Sequence, residues 1–203
     1  MENKFNMCPI CGSKKIEYKN RRKWLCADCG FDLYNNVAAA VGIVLYDDSG
    51  NVLFEVRAKE PRKGFLCLPG GFVDPDESAE EAVIRECREE LGAEVSGSDF
   101  LCTFPNTYVY KDIEYKTCDI FFKTKLSSKY ADMQAFVKTL HREESEVVRF
   151  EIRKVQTAAD VEALPLAFPS ARQTLLKWIA TAVPEAKRAV PEAKRAVPEA
   201  LEG

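Results

Sequence analysis

One histidine, no long apolar run and no excess of positive charge mark this chain by what it lacks. With 29 Lys+Arg against 32 Asp+Glu the formal net charge is −3, so wholesale binding to a nucleic-acid backbone is not the expected role. The longest apolar run, Val37 to Tyr46, has ten residues, whereas a membrane helix needs about 18 or more. The first residues, Met1 to Asn6, carry no charged-then-apolar signal pattern. A cytoplasmic chain with reduced thiols and no membrane partner is therefore expected. A single histidine excludes a His-Glu-x-x-His metalloprotease. Any His-based triad would have to use His141, and no Gly-x-Ser-x-Gly elbow accompanies it. Gly-x-Gly-x-x-Gly and Walker loops are also missing. What is present, 203 residues of which 46% are apolar and 30% charged, fits a globular chain of one domain plus something small.

The chain reads as three parts: a Cys-rich, basic segment over 1–34, alternating strand and helix patterns over 35–183, and a repeat over 184–203. The repeat, Val-Pro-Glu-Ala-Lys-Arg-Ala, has a seven-residue period that invites a coiled-coil reading. Pro184, Pro191 and Pro198 oppose it, since an interior proline costs a helix about 3 kcal/mol. A solvated or frayed tail is expected, with a partner-binding stalk as the alternative. In the middle part Val37–Tyr46 reads as a buried strand, hairpinned through Asp47–Gly50 to Asn51–Ala58. Phe65–Leu68 is short and apolar and ends at Pro69-Gly70-Gly71. Asp76–Leu91 has helical periodicity, and Gly92 stops it. Phe100–Thr103, Tyr108–Tyr110, Ile113–Lys125 and Val147–Val155 read as strands, and Ser170 as the cap of a last helix running through Trp178. The interleaving predicts an α/β or α+β domain.

Cys8-Pro-Ile-Cys11 and Cys26-Ala-Asp-Cys29, each followed by glycine, have the spacing of a four-thiolate Zn²⁺ site. Four sulfur ligands leave no open position for water, so a structural zinc ribbon is expected. The loop between the pairs carries Lys14, Lys15, Lys19, Arg21, Arg22 and Lys23, with Tyr18 and Trp24 among them. It reads either as a solvated face or as a surface for RNA or a substrate phosphate. Cys67, Cys87, Cys102 and Cys118 stand in apolar contexts and are expected to pack in the core.

The informative stretch is Gly71 to Ala93. With Glu77 at zero on a helical wheel, Glu89, Glu86 and Glu90 fall at ~120°, ~180° and ~220°, while Val83, Cys87, Leu91 and Ile84 fall at ~240° to ~340°. The three carboxylates share a stripe beside an apolar one. Like charges at i, i+3 and i+4 destabilise a helix by a few tenths of a kcal/mol each, and Arg85 neutralises only part of that. Either the stripe is a solvated acidic face, or a hard divalent cation, Mg²⁺ or Mn²⁺, relieves it. The Pro-Gly-Gly bend just before it can bring backbone close to a metal or phosphate.

These residues carry a resemblance. The pattern Gly-x5-Glu-x7-Arg-Glu-U-x-Glu-Glu-x-Gly-U, where U is aliphatic, is that of the Nudix family. It falls here on Gly71, Glu77, Arg85, Glu86, Cys87, Glu89, Glu90, Gly92 and Ala93. The resemblance implies a mixed sheet sandwiched between helices, and hydrolysis of a nucleoside diphosphate linked to another moiety. It further implies Mg²⁺ or Mn²⁺ held by Glu86, Glu89 and Glu90 with the Gly71 carbonyl, and Arg85 and Glu77 orienting the ligands. A ribbon ahead of such a domain is similar to the NADH pyrophosphatase group, from which the chain departs at Cys102–Tyr108. ADP-ribose and NAD(H)-like dinucleotides are the expected substrates. The alternatives are a nucleotide-sensing regulator that binds nucleic acid and a hydrolase of nucleotide-capped RNA ends; many relatives are dimers, so a homodimer is possible. Glu86 is the in-motif candidate for the general base. Glu144 or Glu143 is the alternative, because relatives sometimes take the base from a loop before the last strands. Arg57, Lys59, Arg62 and Lys63 could meet phosphates or form a solvated loop. Phe104, Tyr108, Tyr110 and Phe168 could stack a base or simply pack.

Overall fold

A computed structural model of the protein describes residues 5–93, 95, 97–111 and 113–182; the repeat at 184–203 lies outside them. Three short strands come first: β1 (Ile16–Lys19), β2 (Lys23–Cys26) and β3 (Asp32–Tyr34), an antiparallel sheet in that order. Its small core is Trp24, against which Tyr18 and Phe5 stack at 4.8 and 5.0 Å.

The second sheet has six strands: β4 (Ala38–Tyr46), β5 (Asn51–Arg57), β6 (Leu66–Cys67), β7 (Asp99–Tyr110), β8 (Ile113–Lys125) and β9 (Val147–Lys154). The order is β6-β5-β4-β8-β7, with β9 also paired to β5. It is mixed: β4 and β8 are parallel over Ala38↔Thr117 to Tyr46↔Lys125, and the other pairings are antiparallel. Apolar residues on its two faces build two cores. One, around Phe54, Val56, Phe121 and Val161, is covered by α3 (Ala158–Glu162) and α4 (Pro169–Ala182). The other, around Ile43, Leu53 and Phe122, is covered by α1 (Ala79–Leu91) and α2 (Met133–Val137). This is the expected mixed sheet sandwiched between helices.

α1 starts at Ser78, whose hydroxyl accepts from Glu81 N while the Glu81 carboxylate accepts from Ser78 N, a reciprocal cap. Gly92, left-handed at φ 63°, closes it. The helix buries Ala82, Val83, Cys87 and Leu91; full burial of one large aliphatic side chain contributes about 1.5–3 kcal/mol. Ile84, expected on that stripe, is instead exposed, because at ~340° it lies at the stripe's far edge.

Three further expectations are revised. Phe100–Thr103 and Tyr108–Tyr110 are one continuous strand, β7. Pro105 does not break it because β7 is an edge strand, where a missing N–H costs no ladder bond. α4 begins at Pro169 rather than being capped by Ser170, as proline suits the first helical position. The four cysteines outside the ribbon are free; Cys87 and Cys102 are buried, Cys67 and Cys118 half-buried. Among the described residues no helix is long and apolar enough to cross a membrane.

Candidate active site and cysteine cluster

The site lies where β4 and β5 part. Away from their hairpin, with its register pair Tyr46↔Val52, the chain crosses from β6, on β5, to the free edge of β4. There Ile43 N donates to Pro69 O (3.0 Å), Val41 N to Gly71 O (2.8 Å), and Val73 N to Ala39 O (3.1 Å). The Pro-Gly-Gly bend is thereby wedged between two strands beneath α1. No side chain fits on Gly70, and one fits on Gly71 only if the Glu86 carboxylate moves. A Cβ on Gly70 would stand 2.2 Å from Val41 O, and one on Gly71 2.4 Å from Glu86 Oε1.

This close approach sets the acidic cluster. Gly70 N donates to Glu90 Oε2 at 2.7 Å. Arg85 gathers the rest: its Nη1 donates to Glu86 Oε1 (2.9 Å) and Glu89 Oε2 (3.1 Å), and its Nη2 to Glu77 Oε1 (2.6 Å) and Phe72 O (2.9 Å). Glu77 is itself fixed by Asp74 N at 2.7 Å, and the Arg85 guanidinium beside it holds its carboxyl below the usual range. The helical angles predict the gradient across the stripe: Glu89 is exposed, Glu86 half-buried, and Glu90, nearest the apolar stripe, only 8% exposed.

Burial dominates the electrostatics. It raises the Glu86 carboxyl against the pull of Arg85. It pushes Glu90 up to about 8, although the Gly70 N–H opposes this. Behind Glu90 stands Glu55 of β5, 1% exposed, whose Oε1 has no hydrogen-bond partner among the described residues. Burial and then the neighbouring Glu90 raise its carboxyl well above the ordinary value. Glu55 is absent from the motif, yet its signal was present: a charged residue inside the apolar run Val52–Val56. Crowded, desolvated oxygen ligands with one orphaned oxygen suit a hard divalent cation. In the described residues, however, only the four cysteines converge within 4.8 Å. Arg85 holds Glu86 and Glu89, and Gly70 N holds Glu90.

A cavity of about 600 Å³ opens over the cluster. Glu86, Glu89, Glu90, Glu143 and Glu146 line it. Lys59 also lines the cavity and pairs with Glu146. Also in the lining, Tyr108 meets Phe72 edge-on (5.4 Å) and Phe168 at 5.8 Å. The Arg57 guanidinium lies over Phe168 at 5.2 Å, its Nε donating to Pro61 O. Several expected residues lie elsewhere. Glu144 is 82% exposed and paired with Arg142, while Glu143 and Glu146 of the same loop line the cavity. Phe104 packs against the core under α4. Arg62 stands over Phe65 and lines a neighbouring groove. Tyr110 flanks Tyr108 at 6.5 Å without lining the main cavity.

In the N-terminal sheet Cys8 Sγ and Cys29 Sγ lie 3.7 Å apart, as do Cys11 Sγ and Cys26 Sγ. Four sulfurs at about 2.3 Å from a tetrahedral centre would be about 3.8 Å apart, so the group is shaped to hold Zn²⁺. Two equivalent turns make it: Gly12 N donates to Cys8 O and Gly30 N to Cys26 O, both glycines left-handed.

A mixed sheet between helices, with a glycine bend feeding a carboxylate-bearing helix, defines a class. The NUDIX domain family model matches residues 37–179, and the chain belongs to the Nudix family. It is 34% identical over 96 residues to the NAD-capped RNA hydrolase NudC of Pseudomonas aeruginosa, covering 46% of this chain and 33% of that one. It is 44% identical over 80 residues to an ADP-ribose pyrophosphatase of Methanocaldococcus jannaschii, covering 39% of this chain and 43% of that one. The matched stretches thus span less than half the length of these curated relatives. Among solved structures, the Nudix domain of Shewanella oneidensis NrtR complexed with ADP ribose superposes with a TM-score of 0.53 at 25% identity, covering 73% of this chain and 88% of that one. A Nudix hydrolase from Nitrosomonas europaea gives a TM-score of 0.57 at 19% identity, covering 86% and 90%.

Proposed function

We propose that the protein is a divalent-metal-dependent hydrolase of nucleoside diphosphates linked to a second moiety, with ADP-ribose and NAD(H)-like dinucleotides as the substrate class. The carrying observation is one cavity lined both by a carboxylate cluster and by aromatic and polar side chains. Glu86, Glu89 and Glu90 would hold Mg²⁺ or Mn²⁺. The Gly71 carbonyl, bonded once to Val41 N, keeps a lone pair for the same ion. Bound there, the cation polarises phosphoryl oxygen and acidifies water.

The residues supply the rest. Arg85, anchored by Glu77, fixes the Glu86 and Glu89 carboxylates. Arg57 and Lys59 meet the diphosphate charge. Water attacks phosphorus, the bond to the bridging oxygen breaks, and the proton passes to a carboxylate. Glu146 is our choice for that base: it lines the cavity and lies close enough to raise both Glu86 and Glu90. Tyr108 and Phe168 stack the base. In this reading residues 1–34 form a structural zinc ribbon beside the hydrolase domain of 35–183. The names of the NudC relatives make nucleotide-capped RNA the second candidate. Against it, Lys15, Lys19 and Lys23 of the basic loop are tied to Asp28, Glu17 and Asp32.

The test is a panel of ADP-ribose, NADH, a dinucleoside polyphosphate and NAD-capped RNA with Mg²⁺ or Mn²⁺, read by product mass. Cleavage of ADP-ribose or NADH to mononucleotide halves is expected. No cleavage of any member would refute the proposal.

A further inference from the structure

The cavity is also lined by a carboxylate that the hydrolytic chemistry does not use. Asp119 projects from the middle of β8, 7% exposed. Thr117 Oγ1 donates to its Oδ1 and Ser170 Oγ to its Oδ2, both at 2.6 Å. Ser170 is itself 1% exposed and Thr117 3% exposed. Among the described residues no lysine or arginine forms an ion pair with Asp119. All three residues line the main cavity, and Phe168, the stacking candidate, stands two residues before Ser170.

Donor arithmetic gives this cluster a direction. A hydroxyl has one hydrogen, and both hydroxyls spend theirs on Asp119. What the trio offers the cavity is therefore lone pairs alone. A buried carboxylate held by two neutral hydroxyls and no cation gains from every further donor. A carbonyl oxygen brought to the place of the amino group would find no hydrogen and would face the carboxylate's charge; the N1–H of a 6-oxopurine could serve Asp119 only if the base shifted out of that position.

We propose that Asp119 is a specificity-determining residue that selects a purine carrying an exocyclic amino group at C6 over one carrying a carbonyl there. It rests on the reading of the cavity as a nucleotide site and names the base that site takes. A ribose would also present donors to a carboxylate, so the test holds the ribose constant.

The experiment is calorimetric titration of AMP and IMP into the full-length protein, which needs no turnover. AMP is expected to bind roughly 10- to 100-fold more tightly than IMP, the size of one hydrogen bond to a charged group. In Asp119→Asn the new amide N–H₂ can donate to a C6 carbonyl, so the AMP/IMP ratio is expected to fall to about one or below. In Ser170→Ala the carboxylate keeps its charge, and the preference is expected to persist. Thermal unfolding of each variant checks folding, and the ratio compares two ligands on the same molecule. Equal affinity in the wild type, no binding of either nucleotide, or a ratio that Asp119→Asn leaves unchanged would overturn the proposal. Hydrolysis of ADP-ribose alongside any of those results would leave the proposed function standing while this assignment falls. NADH compared with its hypoxanthine analogue gives the same ratio in kcat/KM.

Discussion

Gly71→Ala places a methyl group where the structure has none to spare. The new Cβ would stand 2.4 Å from Glu86 Oε1, 2.8 Å from Cδ and 3.0 Å from Oε2. Ordinary contact begins near 3.4 Å, so the carboxylate must retreat by about 1 Å (3.4 − 2.4). It cannot take Arg85 with it, because that guanidinium is fixed by Glu77 and by Phe72 O. The backbone cannot yield cheaply either, since Gly71 O is bonded to Val41 N at 2.8 Å. Because the atoms met are the far end of a flexible side chain, the stability cost is expected at or below the low end of the ~1–3 kcal/mol that overpacking costs, at most a few degrees in melting temperature for a domain of this size. A 1 Å displacement of a reacting group can cost ~10²-fold in rate. The expected outcome is a folded protein with kcat lowered ~10²-fold and weaker Mn²⁺ binding by electron paramagnetic resonance. Shortening the partner should relieve the clash, so Gly71→Ala/Glu86→Asp should recover melting temperature without recovering activity. A Gly71→Ala protein with kcat within twofold of wild type and unchanged Mn²⁺ affinity would refute the geometry assigned to the bend.

Other outcomes follow from the same structure. Glu146→Gln should lower kcat by ~10²–10⁴-fold, the usual worth of a general base, whereas Glu144→Gln should stay near wild type; steady-state kinetics with ADP-ribose compares them. Burial raises the Glu90 and Glu55 carboxyls in the fold, Glu90 from 4.5 to about 8, so the native state holds protons that the unfolded chain has released. Stability should therefore be fullest below about pH 4.5 for these groups and fall as pH rises towards 8. In Mg²⁺- and Mn²⁺-free buffer the melting temperature should drop between pH 5 and 8, and Mn²⁺ should restore it most at the alkaline end. A melting temperature that climbs over that window without metal would contradict the assignment. Cys26→Ser should lose one equivalent of zinc by elemental analysis and expose Trp24, seen as a red-shifted fluorescence component. Undiminished zinc would show that the four thiolates are not the site.

Much of this was readable from the chain because local rules and tertiary demands agree there. Glu77, Arg85, Glu86, Glu89 and Glu90 sit at helical spacings, and Ser78 and Gly92 cap the helix that carries them. The two Cys-x-x-Cys-Gly turns are local as well. For residues brought in by strand pairing the sequence shows at most an oddity, such as the charge of Glu55 inside an apolar run, and not the partner. Glu55 reaches the cluster only because β4 and β5 separate and let Pro69–Gly71 pass between them. Asp119 and Ser170 are 51 residues apart in sequence. The acidic loop Glu143–Glu146 is visible in the sequence, but which of its glutamates line the cavity depends on how that loop meets Lys59. Phe104 and Tyr108, four residues apart, share one face of β7, so the pleat does not separate them; one packs beneath α4 and the other lines the cavity because different elements cover that face along its length.

The most direct measurement is Mn²⁺ binding in the presence of a non-hydrolysable ADP-ribose analogue, followed by electron paramagnetic resonance for the wild type and for Glu86→Gln/Glu90→Gln. The wild type should bind Mn²⁺, the analogue should tighten that binding, and the double variant should lose it while keeping its zinc. Identical Mn²⁺ binding by the two proteins would contradict the placement of the catalytic metal on the α1 carboxylates.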